Sequence, residues 1–451
     1  MMSNNIRLKK GLDIPVAGKA ALQCERTVIG DLVAVSGCEF RALVPRLLVK
    51  EGDSVLCGTP VLADKKRPEI LFTSPVSGTV KAVVRGEKRK LIEVQIQTDG
   101  RQAAIDFGKK DVNALSAEEV KDALLKSGLW PSFVQRPYGI IAHPDDTPDA
   151  IFVSAFSTAP LAADIDFCCK DEVKFIQAGV DAVRKLSAKG VVVSYRKDGK
   201  SPLEKLENVQ KFYFEGKHPA GNVGVQIHHL RPIRKGDVVW TITPMMLAAI
   251  GKLFLTGKVD LMRKVAVSGP AALYPAYINT VPGVKMSQLQ DFFGTQTQSV
   301  RIISGDLLSG KTVGFEGSLG FKDNQVSLIL EGNDYEMFGW AKPIRMSQFS
   351  TSKTYFSWLT PWKKYEMDTN LHGGERAFVV SDVYGKVLPM NLFPVYLAKA
   401  CLAGDIEKME KYGILEVLEE DLALCEFVCP SKIDIQAIIS DGIDLMLKEM
   451  A

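Results

Sequence analysis

Several stretches of this chain carry residue types that do chemistry. Gly128 to Asp164 reads GLWPSFVQRPYGIIAHPDDTPDAIFVSAFSTAPLAAD, and its first part holds Trp130, Phe133, Arg136, Tyr138 and His143. Trp130, Phe133 and Tyr138 can line an apolar slot for a flat ligand, with Arg136 or His143 donating to its carbonyls. His218, His228 and His229 are imidazoles with metal-ligand chemistry. Cys425 and Cys429, in CEFVCP, are thiols of the kind that hold iron–sulfur clusters. Lys65 and Lys66 follow Asp64, where an amine at a hairpin tip can carry an acyl group. Gly310-Lys311-Thr312 has the ending of a phosphate loop.

Spacing decides among these. VGVQIHHL, Val223 to Leu230, reads as a strand, so His228 and His229 point to opposite faces and cannot share one ion without distortion. Structural roles fit them better, and HPAG, His218 to Gly221, reads as a turn whose glycine lets backbone come close. A [4Fe–4S] cluster needs four thiolates. Here the spacing is C-x3-C and the nearest other cysteine is Cys401, so the pair reads as small apolar packing. GKT lacks the preceding Gly-x4 frame. A phosphate cradle needs glycines so that N–H groups can reach the anion. Trp130, Pro131, Phe133, Arg136, Pro137 and Tyr138 stand there instead and would block a diphosphate. Two readings of these aromatics stay open: a slot for a flat ligand, or core that fills the cleft. No Ser-His-Asp set or paired carboxylates occur at meaningful spacing.

The elements that must position these residues imply a multidomain α+β and α/β protein. Residues 1–105 read as all-β, with a Gly52-Asp53 turn and SPVSGTV at Ser74 to Val80. From 106 to 258 the pattern is α/β. Ser116-Ala117-Glu118-Glu119 is a capping box, and Gly128 ends that helix. Strand Ala150 to Phe156, helix Glu172 to Ala188 and strand Val191 to Arg196 form a right-handed βαβ unit of a parallel sheet. The loop Ser157 to Asp164 then lies at the carboxyl end of a strand, where ligands usually bind. KFYF and VGVQIHHL continue the domain, and a helix near Met245 to Thr256 closes it. Residues 259–339 return to β: RKVAVSGPA, SVRIISGDLL, KTVGFEGSLGF and QVSLILEG are strand-like runs between glycine turns. Ala271 to Tyr277 is either a contact surface or a covered edge. Residues 340–451 begin irregularly, with Trp340, Phe349, Phe356, Trp358 and Trp362 among lysines. That segment either meets a partner or bilayer headgroups, or wraps its own core. Helices follow, capped by Asp405 and stopped by Gly413, up to a last one over Ile433 to Glu449.

The chain has 451 residues, which predicts about three domains. Its net charge of +3 is too small to imply nucleic acid, and no basic run is interleaved with aromatics. The N-terminus lacks an apolar h-region, which argues against a signal peptide. Val265 to Val284 is uncharged but holds Pro270, Pro275 and Pro282, so no transmembrane helix is expected. The eight cysteines read as reduced thiols of a cytosolic protein.

IRLKKGLDIPVAG (Ile6 to Gly18), HPAG, GFEGSLGF (Gly314 to Phe321) and PMNLFPVYLAKACLAGDIEKMEKYGILEV (Pro389 to Val417) together resemble the A-subunit family of the bacterial Na+-translocating NADH:quinone oxidoreductase. That family is a degenerate relative of the NADH- and flavin-binding subunit of complex I and of the Rnf complex C subunit. The resemblance implies a barrel-sandwich hybrid-like N-terminal β domain. It further implies a Rossmann-like α/β domain with an altered nucleotide cleft, a β-grasp SLBB-like domain and a C-terminal helical bundle. The first of these is similar to biotinyl and lipoyl domains, but Lys65 and Lys66 lie slightly far from Pro75 and Arg67-Pro68 interrupts the strand, so a structural module is expected. No cofactor is expected on this chain. Flavins, iron–sulfur centres and NADH belong to other subunits, and quinone is the substrate of the complex. The implied partners are those subunits, the membrane ones especially, at the cytoplasmic face of the inner membrane. Trp130, Phe133, Arg136, Tyr138 and His143 are the candidate quinone residues; the alternatives are a cofactor-free scaffold and an Rnf-type electron-transfer subunit.

Overall fold

The computed structural model describes residues 4–293, 299–332, 336, 338, 339, 342, 344–379 and 382–450. Trp340 lies outside the described residues.

A seven-stranded sheet organises the molecule. Its strand order is Asn5–Arg7, Val209–Glu215, Val191–Arg196, Ile151–Ser154, Val239–Thr241, Val134–Arg136, Ile140–Ile141. The first five run parallel, Val134–Arg136 joins them antiparallel, and Ile140–Ile141 pairs antiparallel to Val134–Arg136. Successive side chains on a strand face opposite ways. Thus Ile151, Val153, Val191, Val193 and Tyr195 join one core with helices Val173–Val183 and Pro244–Thr256. Phe152, Val192 and Phe214 join another with helix Val223–Leu230 and the C-terminal helices. Helices Val173–Val183 and Pro244–Thr256 cross in direct backbone contact: a Cβ at Gly179 would strike the Leu247 carbonyl, and one at Gly251 the Phe175 carbonyl.

The expected capping box is present. Ser116 Oγ accepts from Glu119 N at 3.2 Å, and Glu119 Oε2 accepts from Ser116 N at 2.7 Å. Gly128 follows that helix at φ +72°, a conformation that suits glycine.

VGVQIHHL is a helix, Val223–Leu230, and not the expected strand. Val223, Val225 and Ile227 alternate like a strand, but the segment is covered on both sides, by the sheet and by the C-terminal helices. Burial against two opposite neighbours weakens the signal that separates period two from period 3.6.

The N-terminal segment does not stay in one domain. Asn5–Arg7 is an edge strand of the seven-stranded sheet, and Cys24–Thr27 pairs with Ala276–Thr280 at the edge of a six-stranded sheet. That pairing covers the edge next to Ala271–Tyr277, although Leu273 and Tyr274 stay exposed. After Thr27, strands Leu32–Ser36, Ser54–Val55, Gly78–Arg85 and Leu91–Thr98 form one small sheet. Pro45–Leu47, Pro60–Asp64 and Leu71–Thr73 form a second. Val33, Val61, Leu62, Val76, Val94 and Ile96 are buried between these sheets. In the six-stranded sheet, KTVGFEGSLGF yields only the two-residue strand Lys311–Thr312 before it becomes loop. Helices Pro394–Ala403, Ile406–Tyr412, Glu419–Val428 and Ile435–Met450 pack around Leu397, Met409, Leu422, Ile439 and Ile443. Among the described residues, no helix is long and apolar enough to cross a membrane.

Candidate functional site

A crevice of about 290 Å3 opens at the carboxyl ends of the parallel strands. Ser154 and Ser157 enter it after strand Ile151–Ser154, and Thr241 to Thr243 after Val239–Thr241. Ser132 and Val134 form a third edge. The HPAG turn supplies His218 and Gly221, the six-stranded sheet unit supplies Asp306, Leu308, Lys322 and Asn324, and helix Glu419–Val428 supplies Glu420 and Ala423.

Local hydrogen bonds fix its walls. Ser154 Oγ donates within reach of the Phe156 and Gly221 carbonyls, at 2.8 and 3.1 Å, and accepts from Gln226 Nε2 at 2.8 Å. Gly221 N donates to Thr158 Oγ1 at 2.9 Å; a Cβ there would overlap the Ser157–Thr158 backbone. His218 N donates to Asp13 Oδ1 at 2.9 Å, so the N-terminal GLDIP segment braces the turn. Burial pushes the His218 imidazole below its usual range, against Asp306 and Asp13.

The five residues singled out from the sequence do not surround one open slot. Trp130 and Phe133 are fully buried and pack with Trp240, with ring centroids 5.4–5.5 Å apart. Trp130 Nε1 donates to the Ala142 carbonyl at 2.8 Å. Their sequence neighbours Ser132 and Val134 are the ones that reach the crevice. Arg136 is buried and donates to Asp421 Oδ2 at 2.9 Å and to Glu420 Oε1 at 2.6 Å. Burial acts to lower its pKa, but Asp421 and Glu420 outweigh this and hold the guanidinium above its usual range. Tyr138 is half-buried against the C-terminal core; burial, then Glu410, raises its phenol. His143 Nδ1 lies 3.1 Å from Arg67 Nη2 of the N-terminal unit. Burial, then Arg67, pushes that imidazole below its usual range.

Sequence reading missed Trp240, Lys322, Asn324 and the Glu420–Asp421 pair. The acidic first turn Glu419-Glu420-Asp421 was a signal for a helix start. Its partner Arg136, 285 positions away, was not. Asp421 also abuts helix Val223–Leu230: a Cβ on Gly224 would collide with its carboxylate and with Arg136. A carboxylate thus rests against the first turn of that helix, where the macrodipole favours negative charge. Glu420 is pushed up, first by burial and then by Asp421, against the pull of Arg136. Its side chain is nonetheless 43% exposed, because it is walled in by protein while facing the crevice.

Behind Lys322 sits Glu39 of the N-terminal unit, accepting from Phe321 N at 2.8 Å. Burial and then Asp323 raise its carboxyl to about 7. A carboxyl raised on folding binds its proton more tightly in the folded state. Its contribution is therefore complete below pH 4.5 and is lost as pH rises through about 7. Glu39 is surrounded by protein yet keeps side-chain surface in contact with water, so solvent softens the effect. Glu39→Gln should lose this dependence: its thermal midpoint relative to the parent should climb between pH 5 and 8, as read by parallel thermal scans.

The remaining motifs are held in the fold. His228 Nδ1 donates to Glu416 Oε2 at 2.7 Å, while its Nε2 accepts from Asn391 N at 2.9 Å. His229 Nε2 donates to the Pro389 carbonyl at 2.7 Å. Both histidines pin the C-terminal region to helix Val223–Leu230. Because that segment is helical, the two rings meet edge to face, 5.3 Å apart, and do not point to opposite sides. Cys425 and Cys429 are buried, and the Tyr384 hydroxyl donates to Cys429 Sγ at 2.9 Å. Burial raises the Cys425 thiol. Among the described residues, no three His, Cys, Asp or Glu side chains gather as a metal site. Lys65 and Lys66 are exposed at their hairpin tip. Gly310 closes a turn by donating to the Asp306 carbonyl at 2.9 Å, ahead of the exposed Lys311 and Thr312.

Comparison with known proteins now bears on the whole chain. Residues 6–99 match the NqrA N-terminal barrel-sandwich hybrid domain, 115–259 the NqrA second alpha/beta domain and 264–314 the NqrA C-terminal domain, of SLBB type. The chain is 36% identical over 448 residues to the A-subunit of the Na(+)-translocating NADH-quinone reductase from Rhodopirellula baltica, covering 98% of each chain. It is 37% identical over 453 residues to the protein of the same name from Haemophilus influenzae strain PittEE, covering 98% of this chain and all of that one, 100%. Among solved structures, an NAD+-reducing [NiFe]-hydrogenase in the H2-reduced state aligns at 10% identity over 75% of this chain and 62% of that one, with a TM-score of 0.36. On its end-to-end kinship with the curated relatives, the chain belongs to the A-subunit family of the Na(+)-translocating NADH-quinone reductase.

Proposed function

We propose that this chain is the hydrophilic A-subunit of a complex that reduces quinone with NADH and exports sodium. It sits at the cytoplasmic face of the bacterial inner membrane against the membrane subunits and forms part of, or borders, the quinone site. The reading takes residues 1–105 as the barrel-sandwich unit and 106–258 as a Rossmann-like unit with an altered cleft. Residues 259–339 are the SLBB-like unit, and 340–451 the irregular segment and helical bundle. Flavin, iron–sulfur and NADH chemistry belongs to the partner subunits.

The observation that carries the quinone role is the crevice. It lies at the carboxyl ends of parallel strands, where ligands of α/β sheets bind. At about 290 Å3 it falls near the lower end of small-molecule sites, which run from about 300 Å3. Among the described residues, Asn324 spends its side-chain nitrogen on no hydrogen bond within the protein, so it can face a quinone carbonyl, while Lys322 Nζ stands 5.3 Å over the Phe40 ring and supplies positive charge beside it. Trp130 and Phe133 are the sequence neighbours of the crevice-lining Ser132 and Val134, so Trp130 is the nearby reporter of occupancy, and Arg136 ties that strand to Glu420 of the opposite wall; Tyr138 and His143 lie outside the crevice lining.

The test is a titration of the purified chain with a soluble short-chain quinone, followed by tryptophan fluorescence. Saturable quenching that weakens about tenfold in Asn324→Leu would match the loss of one hydrogen bond near a desolvated carbonyl. Quenching that is unchanged in Asn324→Leu and Lys322→Met would remove the crevice as the site. No saturable quenching at all, with assembly into the complex intact, would leave a scaffold.

A further inference from the structure

The irregular segment before the C-terminal helices holds apolar side chains out into water. Phe356 is 44% exposed, Trp358 48%, Leu359 53% and Trp362 78%. They come from one short passage, TSKTYFSWLTPWKK, residues 351–364. A folded chain does not normally leave such a cluster uncovered; contiguous apolar patches mark interaction sites.

The cluster is presented and not merely loose. Phe356–Leu359 is a single 3-10 turn, closed by Thr360 N and Thr360 Oγ1 donating to the Ser357 carbonyl at 3.1 and 3.0 Å. Ser357 and Tyr365 are buried beneath it. Tyr365 is stitched to the N-terminal segment: its N donates to the Pro15 carbonyl at 2.8 Å, and its own carbonyl accepts from Ala17 N at 2.9 Å. Lys363 Nζ donates to the Met346 carbonyl at 2.9 Å and ties down the other flank. The backbone is anchored while the large apolar groups point away from the anchor.

Charge separates the two classes of surface that such a patch can meet. The passage holds Lys353, Lys363 and Lys364 and no carboxylate. Lys353 Nζ stands 5.7 Å over the Trp358 ring. Protein interfaces favour tryptophan but are depleted of lysine. A bilayer surface favours both. Indole rings settle at the headgroup level, with the apolar body toward the acyl chains, and lysines meet anionic phosphates. A single turn is also too short to lie as a helix in a partner's groove.

We propose that residues 353–364 form a lipid contact that seats this chain on an anionic bilayer surface. Trp358, Leu359 and Trp362 enter the interfacial region, and Lys353 and Lys364 meet phosphate headgroups. This rests on the membrane-side placement proposed above but not on the quinone crevice.

The full chain is mixed with phosphatidylcholine vesicles, with and without phosphatidylglycerol, and sedimented. Brominated acyl chains in parallel samples report tryptophan insertion by quenching. Binding to the anionic vesicles that falls with added salt is expected. Trp358→Ser with Trp362→Ser should cut partitioning on the order of tenfold, since affinity scales with the apolar area buried. Lys353→Gln and Lys364→Gln should each cut it by about fivefold, and only on anionic vesicles. The thermal midpoint of each variant should stay at the parent value, because these side chains are exposed. No vesicle binding by the parent chain overturns the proposal, and so does binding that these variants leave unchanged. Loss of assembly with membrane subunits in the tryptophan variant, without vesicle binding by the parent, reassigns the patch to a protein partner. The quinone titration run on the lysine variants tells the two readings apart: lost vesicles with intact quenching leaves the crevice standing.

Discussion

Asp421→Ala should destabilise the folded chain by about 3–5 kcal/mol, the usual consequence of removing one partner of a buried ion pair. Arg136 and Asp421 are 1% and 0% exposed at the side chain. Removing the carboxylate leaves the guanidinium with Glu420 alone, which is part open to water. It also frees Leu418 N, which donates to Asp421 Oδ2 at 3.1 Å. Asp421→Asn should cost less, because the amide oxygen can still accept one of these bonds. Arg136→Met combined with Asp421→Leu should recover most of the loss, since buried pairs can be exchanged for apolar packing at little net cost. Denaturant midpoints of the four proteins check this. A single Asp421→Ala variant with an unshifted midpoint would mean that the pair does not hold sheet and helix together. Hydrogen exchange should show the effect first in helix Glu419–Val428.

Trp130→Ala should be comparable in size, at about 3–5 kcal/mol, the range for removing a buried aromatic. The Trp130, Phe133 and Trp240 rings meet edge-on and tilted, which adds to the energy of burial alone. The substitution also strands the Ala142 carbonyl, which loses the indole donor. Phe133→Ala should fall in the same range without the lost hydrogen bond. Midpoints within about 1 kcal/mol of the parent would mean that the cluster yields without strain. These values bear on the quinone question. Weaker quinone affinity in Phe133→Ala reports on the crevice only where the variant is shown to be folded under the titration conditions. Asn324→Leu, at the crevice surface, is the cleaner probe.

Local signals in the sequence were reliable where a few residues settle the matter. Ser116 and Glu119 specify a helix start by their own hydrogen bonds, and Gly128, Gly257 and Gly413 stop helices with positive φ. Asp405 caps its helix by accepting from Lys408 N at 3.1 Å. The parallel pairing of Ile151–Ser154 with Val191–Arg196 was legible because the intervening helix dictates it. What stayed hidden depends on distant partners. Asn5–Arg7 is a strand because Val209–Glu215 offers it an edge, and Cys24–Thr27 because Ala276–Thr280 does. VGVQIHHL is a helix packed between the sheet and the C-terminal helices, with Gly224, Val225, Gln226, Ile227 and Leu230 buried. At the site, the passage around Trp130 was found, but its direction was not. Trp130 and Phe133 point inward to Trp240, a ring far along the chain, and their neighbours Ser132 and Val134 face the crevice.

The Arg136–Asp421 bond also sets a schedule. The two residues stand 285 positions apart. At translation rates of about 5–20 residues per second, roughly 15–60 s pass between the synthesis of one and the other. The sheet strand that carries Arg136 is therefore made long before its counter-charge exists. The crevice, walled by residues from Ser132 to Ala423, therefore cannot be complete until nearly the whole chain has been made.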